Sequence, residues 1–159
     1  MKQKKVWIIS GIPGSGKSTW IRNRIAEKGG VHCSRDEIRF SLLKDGEDYF
    51  AHEDEVVRLW LEKAQEAINN PEVENIYIDA TNLNDKSRKK VTEALPKGDY
   101  IITYVIFKVP LDVCIERNSL RTGRAYVPES VIKNMYNSFT IPNSDKIIYI
   151  NEKGEIIDG

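Results

Sequence analysis

One stretch limits what this chain can fold into more than any other. Gly11-Ile-Pro-Gly14-Ser15-Gly16-Lys17-Ser18 matches GxxxxGK[ST] at every fixed position. The motif carries meaning only between a strand and a helix, and both flanks read that way. Residues 6–10 are a short apolar run ending at glycine, as in a buried strand. Residues 17–28 read as a helix closed by Gly29-Gly30. Glycines there let backbone N–H groups turn inward around a polyphosphate, and the helix N-terminus adds partial positive charge. Gly14, Ser15, Gly16, Lys17, Ser18 and Thr19 are therefore the expected nucleotide-binding residues. Lys17 is placed to reach the β- and γ-phosphates of a nucleoside triphosphate, and Ser18 to set its hydroxyl on Mg²⁺. A plain glycine-rich turn is the alternative.

The rest of the chain repeats the strand-then-helix rhythm. Further strands are expected at 31–33, 75–80 and 100–108, the last nearly all apolar as if buried on both faces. Helices are expected at 36–44, 49–69, 85–95, 110–120 and 128–138. Ser34 with Glu37 fits a capping box, and Pro110 and Pro128 suit helix starts. Residues 146–150 and 155–158 read as a closing strand and short hairpin. This alternation predicts an α/β fold with a mainly parallel sheet and helices on both faces. No linker divides residues 1–159, so one domain is expected.

Composition removes several function classes. The 159 residues are 40 % hydrophobic and 30 % charged, with 24 Lys plus Arg against 24 Asp plus Glu. A net charge of zero argues against a polybasic binder that depends on bulk charge. Two cysteines, Cys33 and Cys114, form no CxxC and no Cys/His cluster, which argues against a disulfide scaffold or zinc module. The N-terminal Met-Lys-Gln-Lys-Lys resembles a signal n-region, but the apolar run behind it is too short. No run has the length of a membrane helix. A cytoplasmic protein without membrane contact is the expectation.

Several side chains fall near the expected carboxyl edge of the sheet, where sites in parallel α/β folds gather. Asp36 follows the second strand and can accept a proton from an attacking hydroxyl. Arg39, one turn on, can hold an acceptor phosphate. The two can equally form a structural pair near the helix start. Asp79 ends the third strand as a second Mg²⁺ contact or a loop cap. Thr81, Asn82 and Asn84 can contact an acceptor or cap the next helix. Lys86, Arg88, Lys89 and Lys90 can track a phosphate backbone or form a solvated face. Arg117, Arg121 and Arg124 lie in a helix–loop–helix over about 117–130 that reads as a lid closing on phosphates. Ion pairs to Glu116 or Glu129 are the alternative. His32 and His52 belong to no triad or metal pattern and read as structural or surface residues. Trp7, Trp20 and Trp60 read as packing. Tyr126 and Tyr136 can stack a base, with packing the commoner use.

Together these stretches resemble the kinase domain of the phage-type polynucleotide 5′-hydroxyl kinases, within the small P-loop kinase family. The resemblance rests on 11–20, on Ser34-Arg-Asp36-Glu-Ile-Arg39, and on Asp79-Ala-Thr-Asn-Leu-Asn84 with Arg88. Further on it rests on Val109-Pro, Glu116-Arg-Asn-Ser119 with Arg121, Val127-Pro128, Val131 and Met135-Tyr136-Asn-Ser138. It implies a three-layer P-loop kinase fold with a helical lid. It also implies ATP as donor, Mg²⁺, and an end-exposed or single-stranded DNA or RNA acceptor, as in nucleic acid end repair. In that reading Asp36 is the general base on the 5′-hydroxyl and Arg39 binds the acceptor's 3′-phosphate. Asp79 is a further acid, and Arg121, supported by Arg117, is the lid arginine on ATP. Thr81, Asn82 and Arg88 fall on the acceptor side. The lid here, Arg121-Thr-Gly-Arg124-Ala-Tyr-Val-Pro128, is longer than the resemblance implies, which leaves Arg121 and Arg124 both in play. No DxDxT phosphatase motif is present. Two other readings use the same cradle: a small-molecule kinase for a nucleoside, sugar or antibiotic, and a non-catalytic ATP-gated module.

Overall fold

The apolar run before the glycine motif becomes β1 (Lys4–Ser10), with Val6, Ile8 and Ile9 fully buried. It lies inside one sheet in the computed structural model, which describes residues 3–158. Met1, Lys2 and Gly159, at the ends of the expected domain, lie outside the described residues. The other strands are β2 (Val31–Ser34), β3 (Asn75–Asp79), β4 (Tyr100–Phe107), β5 (Ile147–Ile150) and β6 (Ile156–Ile157). Their order is β2-β3-β1-β4-β5-β6. Every neighbouring pair is parallel except β5–β6, the expected closing hairpin.

Among the described residues, six α-helices fill the crossovers: α1 (Lys17–Lys28), α2 (Arg35–Leu42), α3 (Glu53–Asn69), α4 (Asp85–Ala94), α5 (Leu111–Ser119) and α6 (Glu129–Ser138). Strand alternation sends neighbouring side chains to opposite faces. Val6, Ile8, Ile76 and Ile78 pack with Trp60, Ala64 and Ile68 of α3 and Val91 of α4. Ile9, Tyr77, Val105 and Phe107 pack with Trp20 and Ile21 of α1, Cys114 of α5 and Ile132 of α6. Burying one such aliphatic side chain is worth roughly 1.5–3 kcal/mol, so the two clusters fix which helices cover which face. None of the described helices is long and apolar enough to cross a membrane.

Three expectations change. Residues 49–52 form turns, and α3 starts at Glu53. The Asp48 side chain accepts the Phe50 N–H at 3.1 Å, an Asx-type turn that competes with the helix. The first five residues of β4 are only half-buried, and the buried ones are the last three, 105–107. Pro110 and Pro128, expected as the first helical residues, stand instead at the N-caps of α5 and α6, which start one residue later at Leu111 and Glu129.

Candidate active site

The carboxyl ends of β1, β2, β3 and β4 meet at one edge, and the loop 11–16 leaves β1 there. Gly14 sits at φ +84°, and a Cβ on it would lie 2.4 Å from the Cys114 carbonyl oxygen. Only glycine lets the loop turn this close to α5. Gly16 caps α1 without a side-chain hydrogen bond, so the first-turn N–H groups face the loop as an anion cradle. Lys17 Nζ donates to the Gly11 carbonyl at 2.7 Å. Burial pushes its pKa down, while Asp79 and then Asp36 pull it up and Arg121 pushes it down again. Four charged groups expected at the site therefore share one electrostatic neighbourhood. Ser18 and Thr19 are exposed on the first turn of α1, and the Ser15 hydroxyl is buried without a partner.

A cleft of about 480 Å³ opens beside the loop, lined by Gly14, Gly16 and Thr19 with Arg117, Arg121 and Lys153. Arg117 donates to the carbonyls of Gly14, at 3.3 Å, and of Glu152. It thus ties the phosphate loop to the β5–β6 turn, rather than pairing with Glu116 or Glu129. Arg121 lines the same cleft and has no carboxylate partner among the described residues. Arg124 points elsewhere: it donates to the Leu43 carbonyl at 3.1 Å and lies 3.5 Å from Asp45. That separates the two arginines the sequence left open. At the base of the loop they share, buried Asn118 holds both backbone groups of Val127, at 2.6 and 3.0 Å. The cleft wall from Glu152 to Gly154 was not expected from sequence, since the tail matches no motif there.

Asp36 stands at the rim with its side chain 63 % exposed, while Arg39 beneath it is 6 % exposed. The expected Asp36–Arg39 contact exists, within a larger network. Arg39 Nη1 also donates to the Tyr49 hydroxyl at 2.7 Å, which donates to Asp36 at 3.0 Å. Glu53 takes the other guanidinium edge through both oxygens, at 2.7 to 3.2 Å. Arg35 joins Glu53 as well. All three guanidinium nitrogens of Arg39 are thus engaged. Burial would raise the Glu53 carboxyl, but hydrogen bonds from Arg39 and Arg35 outweigh it and hold its pKa below the usual range. Burial, then the Asp36 charge, pushes Tyr49 up to about 12. Glu53 and Tyr49 escaped sequence reading because they lie far from Asp36 in the chain.

Asp79 is buried at the end of β3, and His32 on neighbouring β2 meets it, Nε2 to Oδ2, at 2.8 Å. His32 is thus a partner of a candidate acid, the structural half of the expected reading. One Asp79 oxygen is held and the other remains for a ligand. A hydroxyl and one carboxylate suit Mg²⁺, which keeps waters and phosphate oxygens as its other ligands. Thr81 contributes its backbone, accepting from the Gly11 N–H at 3.1 Å. Asn82, buried at φ +42°, donates to the Ile9 carbonyl at 2.7 Å, and Asn84 caps α4. Arg88 is 2 % exposed and turns inward, onto Ser10 Oγ at 3.2 Å and the Thr140 carbonyl. At this edge Asn82 and Arg88 act as struts, with their donors turned onto Ile9, Ser10 and Thr140. Lys86, Lys89 and Lys90 stay exposed. Tyr126 and Tyr136 are exposed rather than packed.

Comparison with known proteins agrees with this arrangement. The family model described as "AAA domain" matches residues 6–142. The L-seryl-tRNA(Sec) kinase of Methanococcus maripaludis is 27 % identical over 144 residues, 86 % of this chain and 53 % of that protein. A protein of Autographa californica nuclear polyhedrosis virus, described as a bifunctional polynucleotide kinase/RNA ligase, is 25 % identical over 155 residues, 89 % of this chain and 22 % of that one. A chain of the Pnkp1/Rnl/Hen1 RNA repair complex superposes with a TM-score of 0.73 at 25 % identity, covering 87 % of this chain and 44 % of that chain. The chain thus spans about half or less of these relatives. With the phosphate cradle and parallel sheet in place, the family match makes this chain a member of the AAA domain family, built as a P-loop kinase.

Proposed function

We propose that the chain transfers the γ-phosphate of ATP to the 5′-hydroxyl end of a DNA or RNA strand. The observation that carries phosphoryl transfer to a hydroxyl is the placing of Asp36 and Asp79 at the carboxyl ends of β2 and β3, beside the loop that leaves β1, with Arg121 lining the cleft. A mere nucleotide-binding module has no use for an exposed carboxylate held by an arginine and a tyrosine beside the cradle. The loop N–H groups and Lys17 bind the ATP phosphates, and Arg121 offsets charge on the transferring group. Asp36 takes the proton as the acceptor oxygen bonds to phosphorus. The bond from the γ-phosphorus to the bridging oxygen breaks, and ADP leaves. Ser18 and Asp79 would hold Mg²⁺, which supplies charge neutralisation when bound. Arg39 and Tyr49 hold Asp36 in place.

The nucleic-acid acceptor is supported by the viral relative and the RNA repair chain, each for its own protein. The second reading is a kinase for a small hydroxyl compound. The engagement of all three Arg39 guanidinium nitrogens with Asp36, Tyr49 and Glu53 favours it, because an acceptor's 3′-phosphate would have to share or displace one of those contacts. Asp36→Asn keeps the shape and removes the base. Transfer should fall by roughly 10²–10⁴-fold while ATP binding, read by calorimetry, is kept. Undiminished transfer in Asp36→Asn would remove Asp36 from the chemistry.

A further inference from the structure

Polar groups around Asp36 are engaged with one another, so an acceptor must gain affinity from something else nearby. Phe50 is 63 % exposed, although it sits on a well-fixed turn. Asp48 holds its N–H at 3.1 Å, the Ala51 N–H returns to the Asp48 carbonyl at 3.0 Å, and Glu47 meets His52 at 2.9 Å. The ring stands edge-to-face against Tyr49, with centroids 4.8 Å apart and planes at 83°. Phe40 backs Tyr49 in the same way at 6.3 Å. The Arg39 guanidinium, itself bonded to Asp36, lies 4.3 Å from the Tyr49 ring and 5.9 Å from the Phe50 ring. An apolar ring is thus held in water one guanidinium away from the candidate base.

The geometry points to Phe50, braced by Tyr49, as the surface on which the terminal base of the acceptor stacks. This rests on the strand-end reading above. Every nucleobase has a flat π-face that can cover the ring. Stacking needs no hydrogen-bond donor, so it is compatible with the contacts that Arg39 already makes. It also tolerates any base, as end recognition requires.

The test uses 5′-hydroxyl strands ending in a normal residue, an abasic residue or 2-aminopurine. For the whole chain, binding of the 2-aminopurine strand without Mg²⁺ should quench its emission. The abasic end should raise KM by roughly tenfold. Phe50→Leu should lose the quench and raise KM for the normal strand by roughly tenfold. It should change kcat by less than about twofold and show no further loss with the abasic end. Phe50→Trp should restore both signals. If Phe50→Leu keeps the quench and the base dependence, the stacking surface is wrong while the strand kinase stands. If the unaltered chain phosphorylates a nucleoside or sugar but no strand, the strand reading fails and the stacking surface goes with it.

Discussion

Arg39 shows how far a short spacing can be trusted. The step from Asp36 to Arg39 is one helical turn, and that contact forms. The bidentate partner, Glu53, lies 14 residues further on and arrives only through the packing of α2 on α3. Similarly, His32 reaches Asp79 across 47 residues because β2 and β3 pair in parallel. Neither partner leaves a local signal. Glu53 leads to a prediction with a definite sign. Its folded pKa is depressed, so its stabilisation is complete above the unfolded carboxylate pKa of about 4.3 and fades as pH falls through the lower folded value. Glu53→Gln should be less stable than the parent by roughly 1–3 kcal/mol at neutral pH. The gap should shrink below about pH 4. Thermal melts across pH 3–7 read both. A gap that stays constant with pH would show that the ion pair does not carry the effect.

At the scale of elements, the regular pieces were legible and the connecting ones were not. The apolar runs and helical periodicities set the strand and helix cores, because burial repeats at 2 and 3.6 residues. The segment 43–52 was misread as partly helical, since Asp48 captures a backbone N–H that a helix would need. The loop between α5 and α6 was legible as an arginine-bearing lid candidate, but not in its division of labour. Arg121 faces the cleft and Arg124 reaches Leu43. Asn118 closes the base of that loop through both Val127 backbone groups. Asn118→Ala leaves those groups without this partner and costs roughly 1–3 kcal/mol of local order. Hydrogen exchange at residues 120–127 should quicken, and ATP should bind more weakly because Arg121 loses its fixed position. Unchanged exchange and affinity would show that the loop is held by other means.

Across the whole molecule, alternating strands and helices predicted a parallel sheet but not its order. Strand order depends on which crossovers pack together, and β3 enters between β1 and β2 without any mark in the sequence. That insertion brings Asp79 beside the cradle, with Asp36 at the neighbouring strand end. The candidate site was therefore legible as a set of residues, through the glycine motif and the edge rule for parallel sheets. Its struts, Asn82 and Arg88, were not, because a polar side chain looks the same in sequence whether it faces ligand or holds backbone. The central claim concerns the acceptor. It is tested most directly by following labelled γ-phosphate from Mg·ATP into short 5′-hydroxyl DNA and RNA strands, with 5′-phosphorylated strands, nucleosides and sugars alongside. Label in the 5′-hydroxyl strands alone is the predicted result. Label in a nucleoside or sugar, and in no strand, would contradict it.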